Sequence, residues 1–176
     1  MLASFAILTA TADNLTAAPA DPAPTPKPAK VKTIRELTFT EGEFDGQQVA
    51  KTEKEWKSLL TGDEYNVLRK EGTEAPDTGA LLNNKKAGTY HCAACGLALF
   101  ASVAKYNSHT GWPSFFQPIF KKNVVEKTDR SLDEVRIEVE CARCGGHLGH
   151  VFDDGPKPTG LRYCINSLSL RFKAAN

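Results

Sequence analysis

No stretch of this sequence holds the roughly 18–20 consecutive apolar residues of a bilayer-spanning helix, so no stable membrane span is expected. Charge of one sign is not in excess: 22 Lys and Arg stand against 21 Asp and Glu, a formal net charge of +1. Without a basic or acidic surplus the chain shows no footprint for nucleic acid or for an acidic partner. There is no internal repeat beyond one short cysteine motif that occurs twice. No Lys or Arg precedes Lys27, which bears on the N-terminus. Leu2 to Ala10 is a short apolar stretch, Ala10-Thr11-Ala12 matches an A-x-A cleavage pattern, and Pro22, Pro24, Pro26 and Pro28 then alternate with small residues. A signal-peptide core has this length but normally carries a positive lead. Residues 1–30 therefore read as an export segment or as a disordered Ala/Pro-rich tail. The first reading places the protein outside the cytoplasm, periplasmic in a bacterium; the second leaves it cytoplasmic.

What is present is ordinary for a globular protein, with 41% hydrophobic and 24% charged residues over a length that suits one domain. Residues 31–51 are mixed and polar without a clear period and read as an N-terminal extension. Helical signals start at Thr52. Thr52 with Glu55, and Thr61 with Glu64, form two capping boxes, each followed by an apolar side: Trp56, Leu59 and Leu60, then Tyr65, Val67 and Leu68. Gly72 is the expected stop of the second helix. Beyond Gly88 the pattern turns to strands. Val135, Ile137 and Val139 alternate with Arg136, Glu138 and Glu140; Leu161, Tyr163 and Ile165 alternate through Cys164; Leu168, Leu170 and Phe172 follow. Frequent Gly and Pro breaks favour an antiparallel sheet domain over 52–176, not a parallel α/β one.

Five cysteines cannot all pair internally, and their spacing is not that of a small disulfide scaffold. Cys92-Ala93-Ala94-Cys95-Gly96 and Cys141-Ala142-Arg143-Cys144-Gly145 read as two zinc knuckles, each with a glycine that lets backbone N–H groups face sulfur. Together they predict one structural Zn²⁺ held by Cys92, Cys95, Cys141 and Cys144; four thiolates leave no position open for catalysis. Redox dithiols of the thioredoxin type are the alternative, but the βαβ pattern they need is missing. Disulfides are the other, if the protein is exported.

Cys164 is then the only thiol left. On a strand, Arg162, Cys164 and Asn166 share a face, a cation beside a thiol favours the nucleophilic thiolate, and a buried structural Cys is the plainer reading of that segment alone. His147 and His150 follow the second knuckle as candidate proton donors, with one carboxylate of Asp153-Asp154 expected to orient a histidine. In Gly111-Trp112-Pro113-Ser114-Phe115-Phe116, Pro113 holds Trp112 extended. Its indole is expected to line a pocket, and Phe115 and Phe116 to pack in the core.

In this order, Cys-x-x-Cys, Gly-Trp-Pro-Ser-Phe, Cys-x-x-Cys-Gly-x-His-Leu-Gly-His-Val-Phe-x-Asp-Gly-Pro and Arg-Tyr-Cys-Ile-Asn-Ser resemble the peptide methionine-R-sulfoxide reductases of the MsrB family, over roughly residues 52–173. The resemblance implies a mainly β fold of two antiparallel sheets, β-tent-like, with short N-terminal helices and the zinc away from the active site. It implies that Cys164 attacks the sulfoxide sulfur, releases methionine and becomes a sulfenic acid. His147, His150 and Asn166 match residues that bind and polarise the oxygen and supply its proton. Trp112 matches the residue that receives the substrate methyl group, Phe152 lies in the same substrate site, and Arg162 and Asp154 support it. One departure stands out. Many members carry a second, resolving cysteine just before Gly-Trp-Pro, where this chain has Thr110. The resemblance then implies that an external thiol (thioredoxin, glutaredoxin or glutathione) reduces Cys164, in a monomer that repairs oxidised proteins under oxidative stress. Two rivals remain: a non-catalytic zinc-ribbon module holding a peptide on Trp112, and a zinc hydrolase or deaminase, which lacks its His-x-Glu segment here.

Overall fold

The computed structural model describes residues 38–132 and 134–176. The tail or export segment at 1–30 and the start of the 31–51 extension lie outside the described residues. Helix α1 (Glu53–Leu59) and helix α2 (Gly62–Lys70) begin at Thr52 and Thr61 with both capping boxes closed. They bury Trp56 on α1 and Tyr65, Val67 and Leu68 on α2. The end of α2 departs from expectation. The left-handed residue is Glu71 at φ 55, with Gly72 donating its N–H to the Asn66 carbonyl. The sequence places a glycine one position too late for the conformation that most favours one.

Nine strands follow: β1 (Gly88–Cys92), β2 (Ala98–Ala101), β3 (Lys105–Tyr106), β4 (Ser114–Phe115), β5 (Val124–Asp129), β6 (Arg136–Cys141), β7 (His147–Phe152), β8 (Arg162–Ile165) and β9 (Leu170–Ala174). They form two antiparallel sheets, β2-β1-β9 and β3-β4-β8-β7-β6-β5. The fold is thus mainly β with two short helices, as the patterning and the resemblance both imply. Tyr90, Phe100, Phe115, Leu148 and Ile165 fill the core, and the Phe100 and Phe115 rings stack at 4.4 Å. Phe116 is only half-buried, unlike Phe115.

The alternation in β6 holds, but its two faces are not simply inside and outside. Val139 is buried while Val135 and Ile137 are 60% and 36% exposed. The polar face is the better covered at its start, because the Arg136 and Glu138 side chains are 22% and 12% exposed. That face looks across the sheet at the residues following the second knuckle.

Segment 38–51 has no element longer than a single bridge, Thr40 to Leu97, yet it is tied to both knuckles. Thr40 exchanges backbone bonds with Gly96 and Ala98, and the Val49 N–H donates to the Arg143 carbonyl at 2.7 Å. No helix among the described residues is long and apolar enough to cross a membrane.

Candidate active site and metal site

The register of the larger sheet assembles one row of side chains from all six strands. Lys127 faces Glu138, Glu138 faces His150, His150 faces Cys164, Cys164 faces Ser114, and Ser114 faces Tyr106. Directly opposed residues of antiparallel neighbours share a face, so the thiol, the imidazole and the hydroxyl are adjacent by pairing alone. Two residues along, Asp129 faces Arg136 and Phe152 faces Arg162. A register shift between Val139 and Glu140 then turns His147 to the same side, with its ring 5.5 Å from that of His150. Gly149 permits the tight β7–β8 approach, since a Cβ there would collide with the Cys164 carbonyl.

A cavity of about 130 Å³ opens on this face, lined by Cys164, His150, Asn166, Trp112 and Phe152 with Thr73, Arg136 and Gly149. Five of the eight expected active-site and substrate residues therefore meet at one void. The other three sit behind it. Arg162 lies over the Phe152 ring at 4.3 Å and donates twice to Asp154, at 2.8 and 2.9 Å. His147 is buried, with Nδ1 2.6 Å from Glu138 Oε1 and Nε2 without a partner. The expected carboxylate–histidine pairing is corrected here. Asp154 is taken by Arg162, and the histidines are held by Glu138 and Asp129, because β6 lies beside β7 with β5 next beyond it, whereas the turn after β7 returns to β8.

The protonation states follow from the contacts. Burial pushes the Cys164 thiol up, while the Thr110 hydroxyl and the Arg162 charge pull it down. Thr110 Oγ1 stands 3.8 Å from Cys164 Sγ, so the position at which the resemblance places a resolving cysteine touches Cys164. Burial lowers His150, and Asp129 only partly restores it. Asp129 itself is held well below the usual carboxylate range by Ser131, then by His150 and Arg136. An ionised Asp129 accepts only, which assigns the proton to His150 Nε2, 2.9 Å from Oδ2. Nδ1 is then the basic nitrogen.

Glu74 is missing from the sequence reading and central here. Its carboxylate accepts from the Ser167 and Leu168 N–H groups at 2.6 and 2.9 Å, capping the short 3-10 helix Ser167–Ser169 after β8. Its own N–H donates to Asn166 Oδ1 at 3.0 Å, and its carbonyl accepts the Trp112 indole N–H at 3.1 Å. The Asn166 amide completes its set on the Leu148 carbonyl at 3.1 Å. One residue thus sets Trp112, Asn166 and the chain beyond Cys164. Nothing local in Thr73-Glu74-Ala75-Pro76 signals this, because its partners lie up to 94 positions away. Arg136, Glu138 and Asp129 were also missed as site residues. The alternation of β6 was the available signal for the first two.

The four knuckle sulfurs all lie within 4.8 Å of one another, with Cys92–Cys144 and Cys95–Cys141 each at 3.6 Å. Four thiolates around one Zn²⁺ at ~2.3 Å would stand about 3.8 Å apart, whereas a disulfide requires ~2.0 Å. Their neighbours' sulfurs push Cys92 and Cys141 well above the ordinary thiol range, a crowding that a divalent cation relieves. The residues fit a metal ion. Gly96 and Gly145, at φ 79 and 62, close the two turns by donating to the Cys92 and Cys141 carbonyls. Those two glycine N–H groups therefore bind oxygen; it is the Leu97 N–H that faces the Cys95 sulfur.

The family model described as the SelR domain matches residues 60–174. A peptide methionine sulfoxide reductase MsrB of Leptospira interrogans is 57% identical over 127 residues, 72% of this chain and 96% of that protein. MsrB of Methanosarcina barkeri is 58% identical over 125 residues, 71% of this chain and 88% of that protein. MsrB of Hahella chejuensis is 51% identical over 129 residues, 73% and 93% respectively.

Proposed function

The chain belongs to the SelR-domain, MsrB family and is a peptide methionine sulfoxide reductase, and on that premise we propose that Cys164 reduces methionine-R-sulfoxide in proteins through a sulfenic acid that an external thiol removes. The observation that carries this is the pairing of Cys164 with His150 across β8 and β7, in a cavity that Trp112 walls.

His150 Nδ1 takes the Cys164 proton, and the thiolate attacks the sulfoxide sulfur. A sulfoxide oxygen is a poor leaving group until protonated, so the same imidazolium returns the proton to that oxygen, with His147 buried behind it on Glu138. The sulfoxide S–O bond breaks, the oxygen ends on Cys164 as –SOH, and methionine leaves with two more electrons. Phe152 and the indole of Trp112 form the apolar wall for the methyl group, and Glu74 fixes the indole through its N–H. With methyl and oxygen each given a place, the R epimer alone fits. Asn166, committed to backbone at both ends of its amide, positions the cavity floor.

Thr110 cannot resolve a sulfenic acid, so one external thiol forms a mixed disulfide with loss of water and a second releases it. Thioredoxin, glutaredoxin and glutathione all supply that chemistry. Cys92, Cys95, Cys141 and Cys144 would hold one Zn²⁺, which ties β1 to β6 and takes no part in the reaction. We assign catalysis to 52–176 and expect a monomer.

The test is turnover of dabsyl-methionine-R-sulfoxide with dithiothreitol by wild type and Cys164→Ser. We expect activity in the first alone. Equal rates, or an intramolecular disulfide to Cys164 after one turnover in the mass spectrum, would overturn the mechanism.

A further inference from the structure

Trp112 walls a second cavity, larger than the one at Cys164. This void, of about 310 Å³, is lined by Trp112 with Lys85, Lys105, Tyr106, Asn84 and Asn107 among others, and no carboxylate lines it. The two lysines are unopposed: among the described residues neither belongs to an ion pair. Lys105 Nζ donates to the Leu82 carbonyl at 2.6 Å, which holds the ammonium in place and leaves two of its protons. Burial lowers Lys105, and the like charge of Lys85 lowers it further. The hydroxyl of Tyr106 is buried without a partner. Tyr106 also ends the cross-sheet row that runs through Ser114 to Cys164, and its phenol feels the charges of Arg162, Asp154 and Cys164. The cationic cavity therefore adjoins the nucleophile, with one indole common to both voids.

Size decides what each can hold. About 130 Å³ is below the range of sites that enclose a whole small ligand, so the void at Cys164 takes one side chain. The peptide bearing that side chain must cross its rim, and Trp112 belongs to that rim. Building on the reductase reading, we propose that the Lys85–Lys105 cavity receives an acidic side chain of the oxidised protein, one or two residues from the methionine sulfoxide, and so gives this enzyme a preference for acidic sequence contexts. The chain's near-neutral total charge says nothing against this, because the preference arises from two local lysines without counter-ions.

The experiment compares kcat/KM, with dithiothreitol as reductant, for acetylated pentapeptide amides. Each has a central methionine-R-sulfoxide flanked on either side by Glu, Ala or Lys. One partly screened ion pair is worth up to about fivefold, so we expect the Glu peptide to exceed the Ala peptide by about that factor through KM, with the Lys peptide below both. In Lys85→Glu, whose carboxylate offsets the Lys105 ammonium, the preference falls to near unity. In Lys105→Gln, which leaves Lys85 in place, the preference falls to about twofold, and an unchanged thermal unfolding midpoint shows that the variant is folded. Equal kcat/KM for all three peptides in the wild type overturns the proposal. So does an effect of Lys85→Glu confined to reduction of the oxidised enzyme by glutathione, which would make the cavity a reductant site. Failure of every peptide, the Ala one included, would instead sink the reductase reading itself.

Discussion

Cys164, Thr110 and His150 show how far a residue's type alone carries. A thiol beside a cation reads as reactive, and Arg162 does pull Cys164 down. Burial nevertheless wins, and the thiol sits above its ordinary value. Thiolate therefore increases as pH rises through a raised thiol pKa, so alkylation of Cys164 by iodoacetamide should be slow at pH 7 and climb well into the alkaline range. Asp129→Asn removes the carboxylate that supports the His150 charge, so His150 should fall further and kcat/KM should drop with its pH profile displaced, while Cys164 is still alkylated. Thr110→Cys places a second sulfur where Oγ1 now stands 3.8 Å from Cys164. After one turnover without external thiol, mass spectrometry should show the two joined as a disulfide, with loss of water. Glu74→Gln keeps the shape but weakens two charge-assisted bonds, and should cost about 1–3 kcal/mol in urea unfolding and lower kcat as Trp112 and Asn166 loosen. The cysteine and the histidines were legible because they lie in motifs. Glu74 was not, because its role is made of backbone partners that only folding brings near.

At the level of elements, the two helix starts were readable because a capping box is local chemistry: Thr52 with Glu55 and Thr61 with Glu64 need only three residues. The left-handed residue that ends α2 stands one position before the expected Gly72. Glu71 adopts φ 55, a conformation that penalises a Cβ, so Glu71→Gly should leave stability unchanged or raise it by up to about 1 kcal/mol, measured by chemical unfolding. In β6 the expected period holds. Alternation separates two faces but does not say which is covered, and here the charged face is turned to the histidines of β7. The β7–β8 pairing depends on Gly149. Gly149→Ala drives a Cβ into the Cys164 carbonyl and should cost on the order of 1–3 kcal/mol while displacing Cys164 from His150, seen as a loss of both stability and kcat.

For the whole molecule, the knuckles join the two sheets: Cys92 ends β1 in the smaller and Cys141 ends β6 in the larger. Chelation should release about one zinc per chain, as a four-thiolate site implies, and abolish cooperative unfolding, since binding and folding are coupled. Cys144→Ser should behave like the chelated protein, not like a folded but slow enzyme. The cysteine count and the order of the motifs determined much without coordinates: four cysteines that could hold a metal ion, a single remaining thiol, the sheet-rich class and the family. They could do so because a ligand set and a nucleophile are properties of residue type and local spacing. Strand pairing decided the rest. It set His150 opposite Cys164, gave the histidines to Glu138 and Asp129 in place of Asp154, and brought Glu74 under Trp112 and Asn166. Folding also put two unopposed lysines in a cavity that shares Trp112 with the one at Cys164. Such contacts join positions up to about ninety residues apart, and no local period records which strand will lie beside which.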